Sequence, residues 1–354
     1  MAFLLRVLML LGLSTGVLVA VWTVQEPPAV PPDRIRAITL DAREAPGPEV
    51  LPRLKALGVT HLTFVAFGFQ PGLDVPEIRH RPDARWYSES DAGIRALTAE
   101  AHALGMGVIL KPHLWVGRGA WRGEIAFPDE AAWQAWEADY RAFILHYARL
   151  AAEIDAALLV VGTELAQAAR QREAFWRRLI AEVRQVYPGP LTYAANWYDE
   201  YEHIRFWDAL DYVGVQAYFP LSAEPEPTRQ TLHDGWQPHR KALATIHRQT
   251  GKPILFTEMG YRSVSYAAAE PWRWLSRDEV GSVEPDYALQ ARLYQAFFEA
   301  IWPEPWLAGV IVWKWYPGVS DRPTSRAPLD FTPQGKPAEQ VLARGFGGRA
   351  RGDG

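Results

Sequence analysis

Two glutamates close short apolar runs in a way that suggests chemistry rather than packing. Glu164 ends Ala-Leu-Leu-Val-Val-Gly-Thr-Glu (157–164), and Glu258 ends Pro-Ile-Leu-Phe-Thr-Glu (253–258), followed by Met-Gly-Tyr. Each run reads as a strand, so each carboxylate sits where a strand ends. Packing alone does not select for a charge there, because burying an unpaired carboxylate is costly. Two carboxylates at the same end of two parallel strands supply what glycosidic-bond hydrolysis needs, one acid/base and one nucleophile or base.

Other strand ends add polar and aromatic side chains. Leu-Lys-Pro-His-Leu-Trp (110–115) carries Lys111, His113 and Trp115, and Tyr-Ala-Ala-Asn-Trp (193–197) ends in Asn196 and Trp197. Gln216 and Tyr218 end a sixth strand, Tyr261 lies three residues past Glu258, and Trp313, Lys314 and Trp315 end the eighth. Each residue alone has an ordinary structural role. A strand-end Glu caps or pairs, Lys111 and Lys314 neutralise the two acids, His113 is a hydrogen-bonded imidazole, and a Trp fills core or rim. Gathered at one rim, they read as a substrate site. Lys111, His113, Asn196, Gln216, Tyr218 and Lys314 would hold hydroxyls and tune the acids. Trp197, Trp313 and Trp315 would floor subsites, since the C–H faces of sugar rings stack on aromatic planes.

The elements that must position these residues alternate strand and helix. Strands are expected at 37–40, 61–67, 107–112, 157–162, 191–195, 212–217, 253–257 and 309–315. Helices are expected at 49–57, 91–104, 130–154, 167–186, 200–210, 230–249 and 287–301, with a last one near 337–344. Gly58, Gly105, Gly189 and Gly251 follow helical stretches, as helix stops do. Eight such units argue for a closed (β/α)8 TIM barrel in the α/β class, whose active sites lie at the C-terminal ends of the strands. Long loops at 68–91 and 261–286 would lie on that face. One catalytic domain spans 35–345, with no internal repeat, and a flexible Gly/Arg-rich tail follows at 346–354.

Residues 7–24 are almost wholly apolar after Arg6. Residues 1–24 therefore read as a signal peptide or a single membrane anchor, with a Pro-rich spacer at 25–34. The expectation is an exported protein, whether secreted, periplasmic or held to the membrane by this segment. The Gly-Leu-Ser-Thr-Gly at 12–16 matches a nucleophile-elbow pattern but lies inside that segment.

Composition excludes several classes. The 354 residues carry a formal charge of −4 and 49% hydrophobic side chains. No basic patch offers a nucleic acid or an anionic membrane its attraction. The absence of cysteine removes disulfides, thiolate metal sites and cysteine nucleophiles. No His-Glu-x-x-His, phosphate-binding loop or strand-linked Gly-x-Gly-x-x-Gly occurs, so neither a metal nor another cofactor is expected, and no protein partner is inferred. A polysaccharide or oligosaccharide is the expected partner. Sixteen Trp suit such a ligand, while a single Asn, Asn196, and six Lys mark a chain depleted in both.

At these motifs the chain resembles the glycoside hydrolases of clan A, and most closely glycoside hydrolase family 113, known for β-1,4-mannanases. The resembling segments are Lys111-Pro112-His113, Trp121-Arg122-Gly123-Glu124, Gly162-Thr163-Glu164, 193–197, 216–221, 256–261 and Trp313-Lys314-Trp315. The resemblance implies Glu164 as acid/base and Glu258 as nucleophile of a retaining hydrolase cleaving β-1,4-mannan or manno-oligosaccharides by double displacement, with no cofactor. It departs from the wider clan at Thr163, where most members carry an Asn that bonds the sugar 2-OH; Asn196 is the alternative source of that contact. Two rivals stand beside this reading. One is a retaining glycosidase or transglycosylase on another β-glycan, and the other is a membrane-tethered, non-catalytic carbohydrate-binding barrel.

Overall fold

The computed structural model describes residues 34–276, 278–279, 281–318 and 327–349. The whole N-terminal apolar segment, the spacer up to residue 33 and the end of the tail lie outside these. Eight strands close a barrel: β1 (Ile35–Leu40), β2 (His61–Phe64), β5 (Gly107–Leu110), β7 (Leu158–Thr163), β8 (Leu191–Asn196), β9 (Val213–Gln216), β10 (Ile254–Met259) and β11 (Leu307–Trp315). Their order is sequential, every neighbour is parallel, and β1 meets β11 to complete the ring. Around them pack α1 (Val50–Ala56), α2 (Asp91–Ala103), α3 (Glu130–Glu153), α4 (Ala166–Gln171), α5 (Glu173–Val186), α6 (Arg229–Thr250), α7 (Tyr287–Ala300) and α8 (Pro337–Phe346). The (β/α)8 barrel expected from the repeating pattern is what forms.

Strand alternation decides what fills the barrel. Ala37, Ile109, Leu158, Val160, Ala194, Leu255 and Ile311 form an apolar cluster of their own, drawn only from strands. Two residues further along, the same inward face turns polar: Ala37 is followed by buried Thr39, Leu255 by Thr257 and Ile109 by Lys111. The barrel is therefore oily in its middle and polar at its C-terminal mouth. The larger apolar cluster lies between strands and helices.

Four expectations need correction. The expected strand at 61–67 leaves the barrel after Phe64, and Phe67–Gln70 forms a separate β3. With β4 (Arg79–His80) and β6 (His113–Val116) it makes a three-stranded sheet over the mouth, where the expected long loop contains ordered strand. Pro112, which has no N–H to donate, separates β5 from β6. The expected helix at 167–186 is two, broken at Arg172, whose guanidinium is drawn to Glu137 and Glu130. The expected helix at 200–210 does not form. Glu200 is wholly buried and its carboxyl bonds backward to β8, which commits the segment to turns and one short 3₁₀ stretch at Trp207–Ala209. At the C-terminus, α8 runs to Phe346 and the Arg349 amide donates to Ala56 O at 2.7 Å. Among the described residues, no helix is long and apolar enough to cross a membrane.

An aromatic cluster packs behind β7 and β8. Trp176 of α5 stacks on Phe206 at 5.5 Å and meets Tyr140 and Tyr193 edge-on at 5.4 and 5.2 Å. It is fully buried. Trp176→Ala is expected to lower the unfolding free energy by about 3–5 kcal/mol, read from denaturant titration; a loss under about 1 kcal/mol would show that the site collapses around the deletion.

Candidate active site

Both glutamates reach the mouth through irregularities in their strands. The register of β10 against β9 shifts between Phe256 and Glu258, and that of β7 against β8 shifts between Val160 and Thr163. Simple alternation after Thr257 would send Glu258 outward; the shift lets both point at the mouth, each bonded to Gln216. Glu164 adopts a left-handed backbone, φ 52°. Such a conformation is uncommon for a residue with a side chain and persists where the surroundings over-determine it. Its own amide donates to Ala194 O at 2.8 Å.

Glu258 lies on the floor. Lys111 Nζ donates to its Oε2 at 2.6 Å, Gln216 Nε2 to the same oxygen at 3.1 Å, and the Tyr218 hydroxyl to Oε1. Lys111 also donates to Gln216 Oε1 at 2.7 Å, which orients that amide. Burial pushes the Glu258 carboxyl up, but the Lys111 charge and the three donors outweigh it and hold the group below its ordinary value. Burial and then Glu258 push the Tyr218 phenol well above its ordinary value, so it stays a donor. Burial lowers Lys111, while its ion pair with Glu258 opposes that pull. His113 is buried beside this floor. Burial first, then Lys111 and Arg122, hold it well below its ordinary value, and its ring stands edge-on to Phe67.

Glu164 lies at the rim with different company. Arg122 Nη1 sits 3.1 Å from its Oε2 and Trp121 Nε1 3.4 Å from the same oxygen, while Asn196 Nδ2 donates to Oε1 at 3.3 Å. Arg122 is itself tied to Leu114 O at 2.9 Å. The Tyr198 amide donates to Asn196 Oδ1 at 2.8 Å, which turns the Asn196 amide nitrogen toward Glu164. Lys111 and Tyr218 lie in the field of both carboxylates.

The expected residues thus divide. Glu164, Glu258, Lys111, His113, Asn196, Gln216 and Tyr218 converge on one mouth. Lys111, Gln216 and Tyr218 are spent on Glu258 rather than left free for hydroxyls. Trp115 is 57% exposed at the rim. Trp197 is half-buried and stacks on Trp272 from the β10–α7 loop, 4.9 Å between centroids. Trp313 is half-buried under the Lys314 ammonium. Lys314 pairs with Asp41 at the end of β1, not with either glutamate, because its strand adjoins β1. Trp315, expected to floor a subsite, and Tyr261, expected at the substrate site, both face away from the mouth. Tyr261 is fully buried edge-on against Tyr294 of α7, and Trp315 is buried beneath Arg53 of α1; both face the helix layer. Sequence reasoning missed Arg122 and Trp121 as partners of Glu164, although both lie in a segment already singled out. It missed Asp41 and Trp272, for which no local signal exists. Among the described residues no cluster could hold a metal ion.

The Lys111–Glu258 pair is testable through stability. Lys111→Met leaves a buried carboxylate without its cation, and breaking such a pair costs about 3–5 kcal/mol. Because the wild-type Glu258 carboxyl is depressed, its contribution is present above about pH 4.5 and is lost as the pH falls through its lower folded value. The deficit of Lys111→Met should therefore be largest at neutral pH and shrink on acidification, when the orphaned carboxylate takes up a proton. Denaturant titrations across that range check it; a pH-independent deficit would mean the pair is not the cause.

Comparison with known proteins agrees with this geometry. The profile of Glycoside Hydrolase Family 113 matches residues 42–336. None of the curated proteins matches the chain. Among solved structures, a GH113 β-1,4-mannanase captured in a complex superposes with TM-score 0.75 at 27% identity, covering 90% of this chain and all of that one. The GH113 β-mannanase AaManA from Alicyclobacillus acidocaldarius, bound to ManMIm, gives TM-score 0.74 at 32% identity over 89% of this chain and 97% of the other. An endo-β-1,4-mannanase from Thermotoga petrophila shares the fold alone, with TM-score 0.53 at 12% identity over 89% and 76%. With the two carboxylates at one barrel mouth and a family match across most of its length, the chain belongs to glycoside hydrolase family 113.

Proposed function

We propose that this glycoside hydrolase cleaves β-1,4-mannan or manno-oligosaccharides with retention, by double displacement. The observation that carries the division of roles is the unlike setting of the two carboxylates. Glu258 is held ionised by Lys111, Gln216 and Tyr218, which suits a group that attacks the anomeric carbon. Glu164 stands at the rim, where a leaving oxygen and then a water can reach it, which suits an acid that becomes a base. The mannan preference is supported by the β-mannanases among the similar structures. A non-catalytic binding barrel has no use for a buried cation that keeps a carboxylate charged.

Chemical rescue separates the roles. Glu258→Ala removes the nucleophile, so every substrate fails at the first step, and added azide attacks from the vacated side to give a glycosyl azide of inverted configuration. Glu164→Ala removes proton transfer alone. A dinitrophenyl glycoside, whose leaving group needs no proton, still forms the glycosyl-enzyme, and azide releases a product of retained configuration. Swapped phenotypes would reverse the assignment, and near-wild-type polysaccharide hydrolysis by either variant would remove the mechanism. Assays on mannan against laminarin and cellulose decide the glycan.

The apolar segment at 1–24 is proposed to direct export. N-terminal sequencing of the native protein is expected to show a start near Gln25 or an intact chain that needs detergent; soluble cytoplasmic protein beginning at Met1 would contradict both.

A further inference from the structure

Four residues beyond Asn196, Glu200 has no exposed surface and touches neither carboxylate directly. Its two oxygens lead to Glu164 by two separate routes. Oε1 lies 2.5 Å from the Tyr193 hydroxyl, and that hydroxyl accepts the amide of Leu165, the residue after Glu164, at 2.7 Å. Oε2 accepts the Asn196 amide at 2.6 Å, and the Asn196 side chain donates to Glu164 Oε1 at 3.3 Å. One arm therefore holds the backbone just past the left-handed turn at Glu164, and the other holds the strand end whose side chain touches the Glu164 carboxyl. Burying a carboxyl this completely is expensive, and a loop could be closed without one.

We propose that Glu200 is a positioning residue for the acid/base: through Tyr193 and Asn196 it clamps the left-handed turn that aims Glu164 into the mouth. A residue with φ 52° and a side chain does not hold that conformation unaided. The Leu165 amide is fastened by Tyr193, and Tyr193 is fixed in turn by Glu200 and by the edge of Trp176. Displacing a proton donor by an ångström is enough to cost about 100-fold in rate.

The inference rests on the acid/base reading of Glu164, and the assay separates the two. Full-length Glu200→Ala and Tyr193→Phe are compared with wild type on a manno-oligosaccharide and on a dinitrophenyl glycoside of the same sugar, as kcat/KM. The oligosaccharide value is expected to fall roughly 10- to 100-fold, and the dinitrophenyl value less than about 3-fold, because only the first needs the proton. Both substrates are measured on one preparation, so inactive protein lowers them alike and cancels in the ratio. Equal losses on both substrates, or no loss on either, overturn the clamp. Should Glu200→Ala not fold, Tyr193→Phe decides, since it removes one hydroxyl. Glu164→Ala runs in parallel. If it keeps full activity on the oligosaccharide, the acid/base reading itself has failed. If it shows the selective loss while the other two variants do not, only the clamp has.

Discussion

The buried pairing of Lys111 with Glu258 is the constraint around which the mouth is arranged. Two opposite charges removed from water stabilise little by themselves, because desolvation offsets most of their attraction. What makes the pair tolerable is that nearly every remaining polar atom has a partner. Gln216 bonds to both, and Tyr218 closes the second carboxylate oxygen. These groups come from the residue after β5, from β9 and β10 and from the turn after β9, so the parallel register of the barrel has to be right before any of them meets another. The apolar middle of the barrel beneath them provides the rigid base and the low dielectric that make the charge arrangement matter.

The two carboxylates share a device and differ in setting. Both follow a register irregularity near the top of a strand. One then sinks among donors that keep it charged, while the other is lifted by a left-handed turn to a rim shared with Arg122 and Trp121. Nothing in residue type distinguishes the two glutamates; their surroundings do. On the proposed mechanism, that difference in setting is what lets like groups take unlike tasks.

Much of this was legible beforehand, for physical reasons. Apolar runs ended by Gly-capped helices mark a parallel barrel, and a charge at a strand end has few structural excuses. Lys111, Gln216 and Tyr218 were readable as site residues for the same reason. Legibility failed where a side chain's partner is distant in sequence. Lys314 reads from the sequence as a rim residue that holds hydroxyls and tunes the acids, yet its neighbour across the sheet is Asp41, brought beside it only by ring closure. Tyr261 and Trp315 share the rim's sequence neighbourhood, but they face α7 and α1. The segment after β8 has helical composition, and a single buried carboxyl, Glu200, redirects it. The small sheet over the mouth leaves no sequence signal, because its strands are two to four residues long, below the length at which alternation can be seen.

The stack of Trp272 on Trp197 has a consequence for how such a barrel diversifies. One indole belongs to a strand end and the other to the β10–α7 loop. Exposed Trp274 comes from that same loop, while exposed Trp115 lies on the small sheet. The two carboxylates and Lys111, by contrast, are anchored at the ends of strands in the ring. Walls and machinery are thus encoded in separable stretches of chain. On the proposed function, exchanging the loop would alter the aromatic surface beside the mouth and leave the Lys111–Glu258 floor undisturbed, so that reaction could be turned to another polysaccharide by altering surface segments that contribute no strand to the ring.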